Sequence, residues 1–312
     1  MSNEFHPPPS AAALRSAVVV LVGGATGIGR ATALALHTAG AHVVIGDITT
    51  PPGDEFESVT DPEARNSEHD LDVEVGTGSL RYLRCDISNY KEVHGLFQHA
   101  WNRFGRVDHA VACAGILERG KLFDPELTVE TVGVQDDEAL RVLQVNLVGA
   151  VNFSRVAVVF LRTERDDADR SLTLLGSVAS IRESAGLFMY QTSKHGILGL
   201  LRSMRTPIYK RDGIRVNCIC PGMTESAMTT SIIGAFRERN LATQTSEDVA
   251  KVIIGLLSEK DATGKAMYVE GAKAWEFEET MWETMPAWLG EEPTKMLKAN
   301  AEFVASGALL KK

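Results

Sequence analysis

The chain has 312 residues, 44% of them hydrophobic and 23% charged, with 41 acidic against 32 basic residues and a net charge of −9. This length holds one large domain or two small ones, and the composition excludes disordered, collagen-like and low-complexity chains. The acidic balance, with no basic block, speaks against nucleic acid or an anionic membrane as partner.

In chain order, residues 1–15 read as a loose N-terminal tail without the apolar core of a secretory signal. Apolar runs of strand type follow at 17–22, 41–46, 80–84, 107–112, 171–175, 214–219 and 266–269. Helical patterns fall between them at 28–38, 91–104, 138–161, 190–210 and 247–259. The runs are continuous rather than alternating, as in strands buried on both faces. Alternation of strand and helix predicts a parallel sheet of about seven strands with helices on both faces, a doubly wound α/β domain over 16–271. Two segments break the rhythm. Residues 49–79 hold Pro51, Pro52 and Gly53 and many acids, and read as a surface insertion; 122–137 reads as an acidic loop. The extension 272–312 carries Trp275, Trp282 and Trp288, too aromatic for a disordered tail. It is expected to pack either over the ligand cleft, on a remote face or on a partner subunit. No stretch reads as a membrane span. Four cysteines without a C-x-x-C pair indicate reduced thiols and no metal, and a cytoplasmic setting is expected.

The first strand runs into Gly23, Gly24, Ala25, Thr26, Gly27, Ile28 and Gly29. A strand, a glycine turn and a helix start suit a pyrophosphate, which needs close backbone approach and a helix N-terminus. Arg30 is either a phosphate ligand or a residue of the helix face, the second reading being preferred. Asp47, 18 residues after Gly29, ends the second strand. A carboxylate there accepts from ribose hydroxyls and repels a 2′-phosphate, which favours NAD over NADP; the alternative is a turn-forming Asp. Asp86 fits either an adenine contact or a helix cap.

Tyr190 and Lys194 share one helix face at i and i+4. Ser177 follows the strand at 171–175, at the sheet edge where ligands bind. Asn146 is an amide inside an apolar helix and needs a partner, whether as a kink former or a water ligand. Cys113 reads as a small buried hydrophobe rather than a reactive thiol.

Together the glycine turn, Asp86, Ala114-Gly115, Asn146, Ser177, Tyr190, Lys194 and Pro221-Gly222 resemble the short-chain dehydrogenase/reductase family over about 17–271. The resemblance implies a Rossmann-type domain and a general acid/base at Tyr190. Lys194 would lower the tyrosine pKa and bind the nicotinamide ribose. Ser177 would hold the substrate oxygen, and Asn146 a water in a proton relay. Gly23, Thr26, Gly27, Ile28, Gly29, Asp47, Asp86, Ile87, Ala114, Gly115, Tyr190, Lys194, Pro221, Gly222, Met223 and Ser226 would contact the cofactor, with Ser226 at a carboxamide-binding position. The sequence departs from the family pattern at Val22, where Thr is usual, and at Ala112-Cys113, where Asn-Asn is usual. Those groups brace the sheet, so the chemistry is expected to survive.

The expected activity is hydride transfer between NAD and a bulky apolar secondary alcohol or ketone of terpenoid, steroid or polyketide type, oxidation being the preferred direction. Leu187, Phe188, Met189, Met223, Met228, Ile232 and Ile233 are the candidate apolar pocket residues, the alternative being that the Met and Phe side chains among them belong to the core. Trp288-Leu289-Gly290 is reminiscent of dehydrogenases of fungal secondary metabolism. Two alternatives are an NAD(H)-bound isomerase or cyclase without net redox change, and a non-catalytic dinucleotide sensor. The helix at 138–161 is apolar nearly all round, which predicts a homodimer or homotetramer.

Overall fold

Ten strands form one sheet in the computed structural model, which describes residues 3–8, 12–51, 53, 55–59, 78–162 and 168–305. The strands are β1 (Glu4–Phe5), β2 (Val18–Val22), β3 (His42–Asp47), β4 (Glu57–Ser58), β5 (Ser79–Arg84), β6 (His109–Ala112), β7 (Ser171–Leu175), β8 (Arg215–Pro221), β9 (Ala266–Glu270) and β10 (Lys273–Glu276). The helices are α1 (Gly27–Thr38), α2 (Tyr90–Phe104), α3 (Asp137–Leu143), α4 (Gly149–Leu161), α5 (Phe188–Asp212), α6 (Thr230–Glu238), α7 (Ser246–Ser258), α8 (Glu278–Leu289) and α9 (Glu291–Ala305). The sheet order is β1-β10-β9-β8-β7-β6-β2-β3-β5-β4, parallel from β9 to β4 and antiparallel at β10 and β1. This is a doubly wound, Rossmann-type α/β fold.

Side chains of β2 alternate between two cores, as a period of two requires. Val18, Val20 and Val22 pack with Phe97 of α2, Phe153 of α4 and Ile197 of α5. Val19 and Leu21 pack with Leu36 of α1 and Ile253 of α7 on the other face. After β2 the chain moves to β3 on one side and later returns to β6 on the other. The carboxyl ends of β2 and β6 therefore flank a crevice where the strand order reverses, the ligand position of such sheets.

Two expectations need correction. The N-terminal segment is not a loose tail: Glu4 and Phe5 pair with Trp275 and Ala274, covering the edge that β10 leaves open. Asn3 adds bonds in both directions to the Glu276 backbone, and Leu14 is buried. The apolar stretch 138–161 is not one regular helix: a π-helical turn, Gln144–Val148, joins α3 to α4 and centres on buried Asn146. By length and mean hydropathy, 1.5 in its most apolar window, Asp137–Leu161 passes as a membrane span, yet half of that window is buried inside the fold. Of the three placements open to the C-terminal extension, the cleft is not supported: among the described residues it contributes none to the wall of the crevice. Instead, Glu278 of α8 is fully buried and pairs with Arg202 at 2.6 Å and Arg205 at 3.0 Å, both on α5. Trp275 stacks on Tyr268, and α9 rests mainly on α8. Most of the expected insertion, 60–77, lies outside the described residues. Of its ends, Phe56 is buried and β4 pairs with β5.

A buried arginine ties the sheet to α7. Arg215, 2% exposed, makes two bonds to Asp169, at 2.8 and 3.0 Å, and donates to the carbonyls of Leu256, Leu257 and Ala262. Every strong donor of its fork is occupied, the condition under which a buried cation is tolerated.

Candidate active site

The crevice at the carboxyl ends of β2 and β6 is a cleft of about 580 Å³. Its floor is the turn between β2 and α1. Gly23 has φ +81°, and a Cβ there would fall 2.4 Å from the Ala114 nitrogen. At Gly29 a Cβ would fall 1.9 Å from the Gly23 carbonyl oxygen. Only glycine lets these backbones close together. α2, α3 and α7 are capped by the side chains of Asn89, Asp136 and Thr245, whereas the Thr26 side chain makes no cap bond to α1. The first turn of α1 thus meets the cleft without a side-chain cap from Thr26. A glycine-lined cradle ending on an uncapped helix start fits the pyrophosphate of a dinucleotide.

Asp47 stands at one end of the cleft. Its carboxylate accepts from the Ala25 N–H at 2.9 Å and the Thr49 N–H at 3.0 Å, which fixes a negative charge beside the turn. Arg30 does not line the cleft; it pairs with Glu55 at 3.1 Å and stands over the Phe56 ring. Asp86 does line it. Burial works against its charge, but hydrogen bonds from the Ser88 N–H and hydroxyl, with Arg141 and Arg84 nearby, outweigh that and hold its carboxyl below the usual range. Ile87 lies beside it.

Tyr190, Lys194 and Ser177 all line the same cleft. Tyr190 and Lys194 sit one turn apart in α5. The Lys194 ammonium is buried, donates to the Leu175 carbonyl at 2.9 Å and lies 5.7 Å from the centre of the Tyr190 ring. Ser177 opens a short 3-10 turn in which its hydroxyl accepts from the Ala179 N–H. Ser180 donates to the Lys194 carbonyl at 2.7 Å, fastening that turn to α5.

Asn146 is 1% exposed and does not line the cleft. Its Oδ1 accepts from the Ile116 N–H, and its Nδ2 donates to the Ile116 carbonyl and to Ser193 Oγ. No side-chain bond joins it to Lys194. Its amide braces the loop after β6 against α5, and the π-helical turn is what aims it there.

Gly23, Thr26 to Gly29, Ala114, Gly115, Pro221, Gly222 and Ser226 line the cleft; Met223 does not. Of the seven apolar pocket candidates only Met228 lines it. Met189 is packed with Ala139 and Val142 in a small core cluster, and Phe188 and Ile232 face outward. Cys113 lines the cleft as a thiol, because burial pushes its pKa up to about 12, against the opposing pull of Lys194. Sequence reasoning passed over Arg119, Arg141 and Thr224 in the wall, and Glu118 behind it. Arg141 stands one turn before Val145, and Glu118 three residues after Gly115; neither spacing carries a signal alone.

Residues 17–235 match the family model described as short chain dehydrogenase. The chain is 27% identical to a short-chain dehydrogenase/reductase prx4 of Penicillium roqueforti, over 92% of this chain and 85% of that one. It is 33% identical to 3-hydroxyacyl-CoA dehydrogenase type-2 of Rattus norvegicus, over 71% of this chain and 80% of that one. Among solved structures, ligand-free aldohexose dehydrogenase of Thermoplasma acidophilum superposes with a TM-score of 0.62 at 22% identity, covering 83% of this chain and 94% of that one. The last likeness speaks to fold alone; the family match spans most of the chain, cradle and Tyr190–Lys194 pair included. This protein belongs to the short chain dehydrogenase family and is an oxidoreductase.

Proposed function

We propose that the protein is an NAD-dependent dehydrogenase of bulky apolar secondary alcohols, with Tyr190 as general acid/base. The observation that carries this reading is that Tyr190, Lys194 and Ser177 line the same cleft as the glycine cradle. Members of the family generally use nicotinamide cofactors. Residues 23–29 would hold the pyrophosphate, Asp47 the adenosine ribose, and Pro221, Gly222 and Ser226 the nicotinamide side. A nicotinamide held there would supply the hydride acceptor for oxidation of the alcohol carbon, or the hydride donor for reduction of the ketone. The chain's own residues handle the proton. The Tyr190 oxygen takes it from the substrate hydroxyl during oxidation. Lys194, held by the Leu175 carbonyl, stabilises the tyrosinate through its charge. Ser177 orients the substrate oxygen from the opposite side.

Two features support the finer choices. No cation follows Asp47 in 48–50, and the two arginines of the wall have acidic neighbours: Glu138 lies 3.6 Å from Arg119, and Arg141 faces Asp86. Segments next to cleft-lining residues carry exposed apolar side chains. Phe123 and Phe188 meet edge to face at 4.7 Å, both exposed, and Met228 and Ile232 are exposed on the 222–241 side. An apolar substrate would cover this surface. The relatives carry different substrates in their names, so the family does not select one.

The test follows reduced-nicotinamide absorbance with NAD or NADP and a panel of bulky secondary alcohols. Turnover with NAD that is lost in Tyr190→Phe supports the reading. Turnover with NADP alone overturns the cofactor choice. We also propose a homodimer through α4, whose Val151 and Val159, with Val148 at the end of the preceding π-helical turn, form an exposed apolar stripe. V151E/V159E should then shift the particle to half its mass in solution.

A further inference from the structure

Helix α5 begins without a cap of its own. Its N-cap position is Leu187, whose side chain has no acceptor. The first-turn N–H groups of a helix need partners from elsewhere. Here the partner comes from the loop after β6. Glu118 Oε1 accepts from the Met189 N–H at 3.1 Å, and Oε2 accepts from the Tyr190 N–H at 2.7 Å. One carboxylate thus takes both donors, and its charge suits the positive end of the helix. Two residues earlier, the same loop is held by Asn146 through the N–H and carbonyl of Ile116. Asn146 also reaches Ser193 Oγ, which donates to the Tyr190 carbonyl at 2.6 Å. The backbone of Tyr190 is therefore gripped at both ends from a single loop: by Glu118 at its N–H, and through Asn146 and Ser193 at its carbonyl. That loop also supplies Ala114, Gly115 and Ile116 to the cleft wall.

We propose that Glu118 is a positioning residue that fixes Tyr190 relative to the wall formed by 114–116. The proposal rests on Tyr190 as the acid/base described above. Glu118 does not line the cleft, so it acts through the tyrosine backbone rather than on substrate.

The test is a double-mutant cycle of Glu118→Ala with Tyr190→Phe, alongside Glu118→Gln, read by kcat, KM, NADH binding and melting temperature. A displaced acid/base costs about ten- to a hundredfold in rate. Glu118→Ala should lower kcat by that factor with NADH binding unchanged. Glu118→Gln, which keeps one carbonyl acceptor, should recover part of the loss. In the Tyr190→Phe background, Glu118→Ala should cost nothing more. The proposal fails if Glu118→Ala keeps full kcat while Tyr190→Phe is inactive. It fails also if Glu118→Ala lowers the residual turnover of Tyr190→Phe by the same factor, since that marks a general structural role. A fully active Tyr190→Phe would remove the acid/base reading itself, a separate result. Should Glu118→Ala not fold, the same cycle is run with Glu118→Gln.

Discussion

Asn146 holds Ile116 by both of its backbone groups, accepting from the N–H at 2.8 Å and donating to the carbonyl at 2.9 Å. Asn146→Ala leaves the N–H and carbonyl of half-buried Ile116 without their partner, each costing at most about 1–3 kcal/mol. Asn146→Asp reproduces the pattern only when the acid is protonated. Burial favours that neutral form, so its folded pKa lies above the unfolded value. The stability of the Asp variant is then greatest at acid pH and is lost as pH rises. Melting curves of both proteins at pH 5 and pH 8 check this: the deficit of the Asp variant relative to wild type should widen at pH 8.

Tyr190→Phe removes the proton carrier but no backbone bond. We expect kcat to fall by about 10²–10⁴-fold with NADH binding retained. Fluorescence titration with NADH separates this from a folding defect.

Asp47→Ser removes the fixed charge while the turn keeps a hydroxyl acceptor. The ratio of kcat/KM for NAD over NADP should fall by at least about tenfold, about 1.4 kcal/mol of discrimination. An unchanged ratio would show that Asp47 is a turn residue only.

Arg215→Met strands Asp169 and the carbonyls of Leu256 and Leu257; the Ala262 carbonyl keeps its bond from Asn217 Nδ2. Breaking a buried pair from one side costs about 3–5 kcal/mol. The expected fall in melting temperature is on the order of 10 °C, measured by calorimetry.

Burial lowers His109 to about 4, with Asp169 pulling the other way. Burial, helped by Arg81 and Arg103, also lowers His99 to about 4, and neither ring nitrogen of His99 has a partner among the described residues. Both rings are neutral in the folded protein at pH 7. In the unfolded chain they titrate near their ordinary value of 6.5. Between 6.5 and 4 the unfolded state therefore binds more protons. Stability is full above 6.5 and declines as pH falls towards 4, by at most about 1.4 kcal/mol per pH unit for each ring. Denaturant titrations across that window should show the slope, and His99→Leu should reduce it.

All seven sequence-predicted strands appear in the structure, because a strand buried on both faces leaves a continuous apolar run such as Val18 to Val22. β1 and β4 have two residues each, too short to leave a pattern. The π-helical turn at Asn146 was hidden for another reason. A segment apolar all round has no phase, so an extra residue in it shifts nothing visible. The cradle and the Tyr190–Lys194 pair were legible because their chemistry depends on local spacing. Glu118 was not, because its partners lie 71 and 72 residues away. Met189 was open between pocket and core because an apolar side chain serves both equally well, and it packs in the core.

The contact between Gly23 and Ala114 has a consequence for how this protein can change. With backbone against backbone at the base of the cleft, no side chain there is free to be resized. Remodelling for a different substrate must therefore come from 117–136 and 223–241, whose side chains reach solvent around Phe123, Met228 and Ile232. Selection for new chemistry, in nature or in a library, has a fixed base and two adjustable walls.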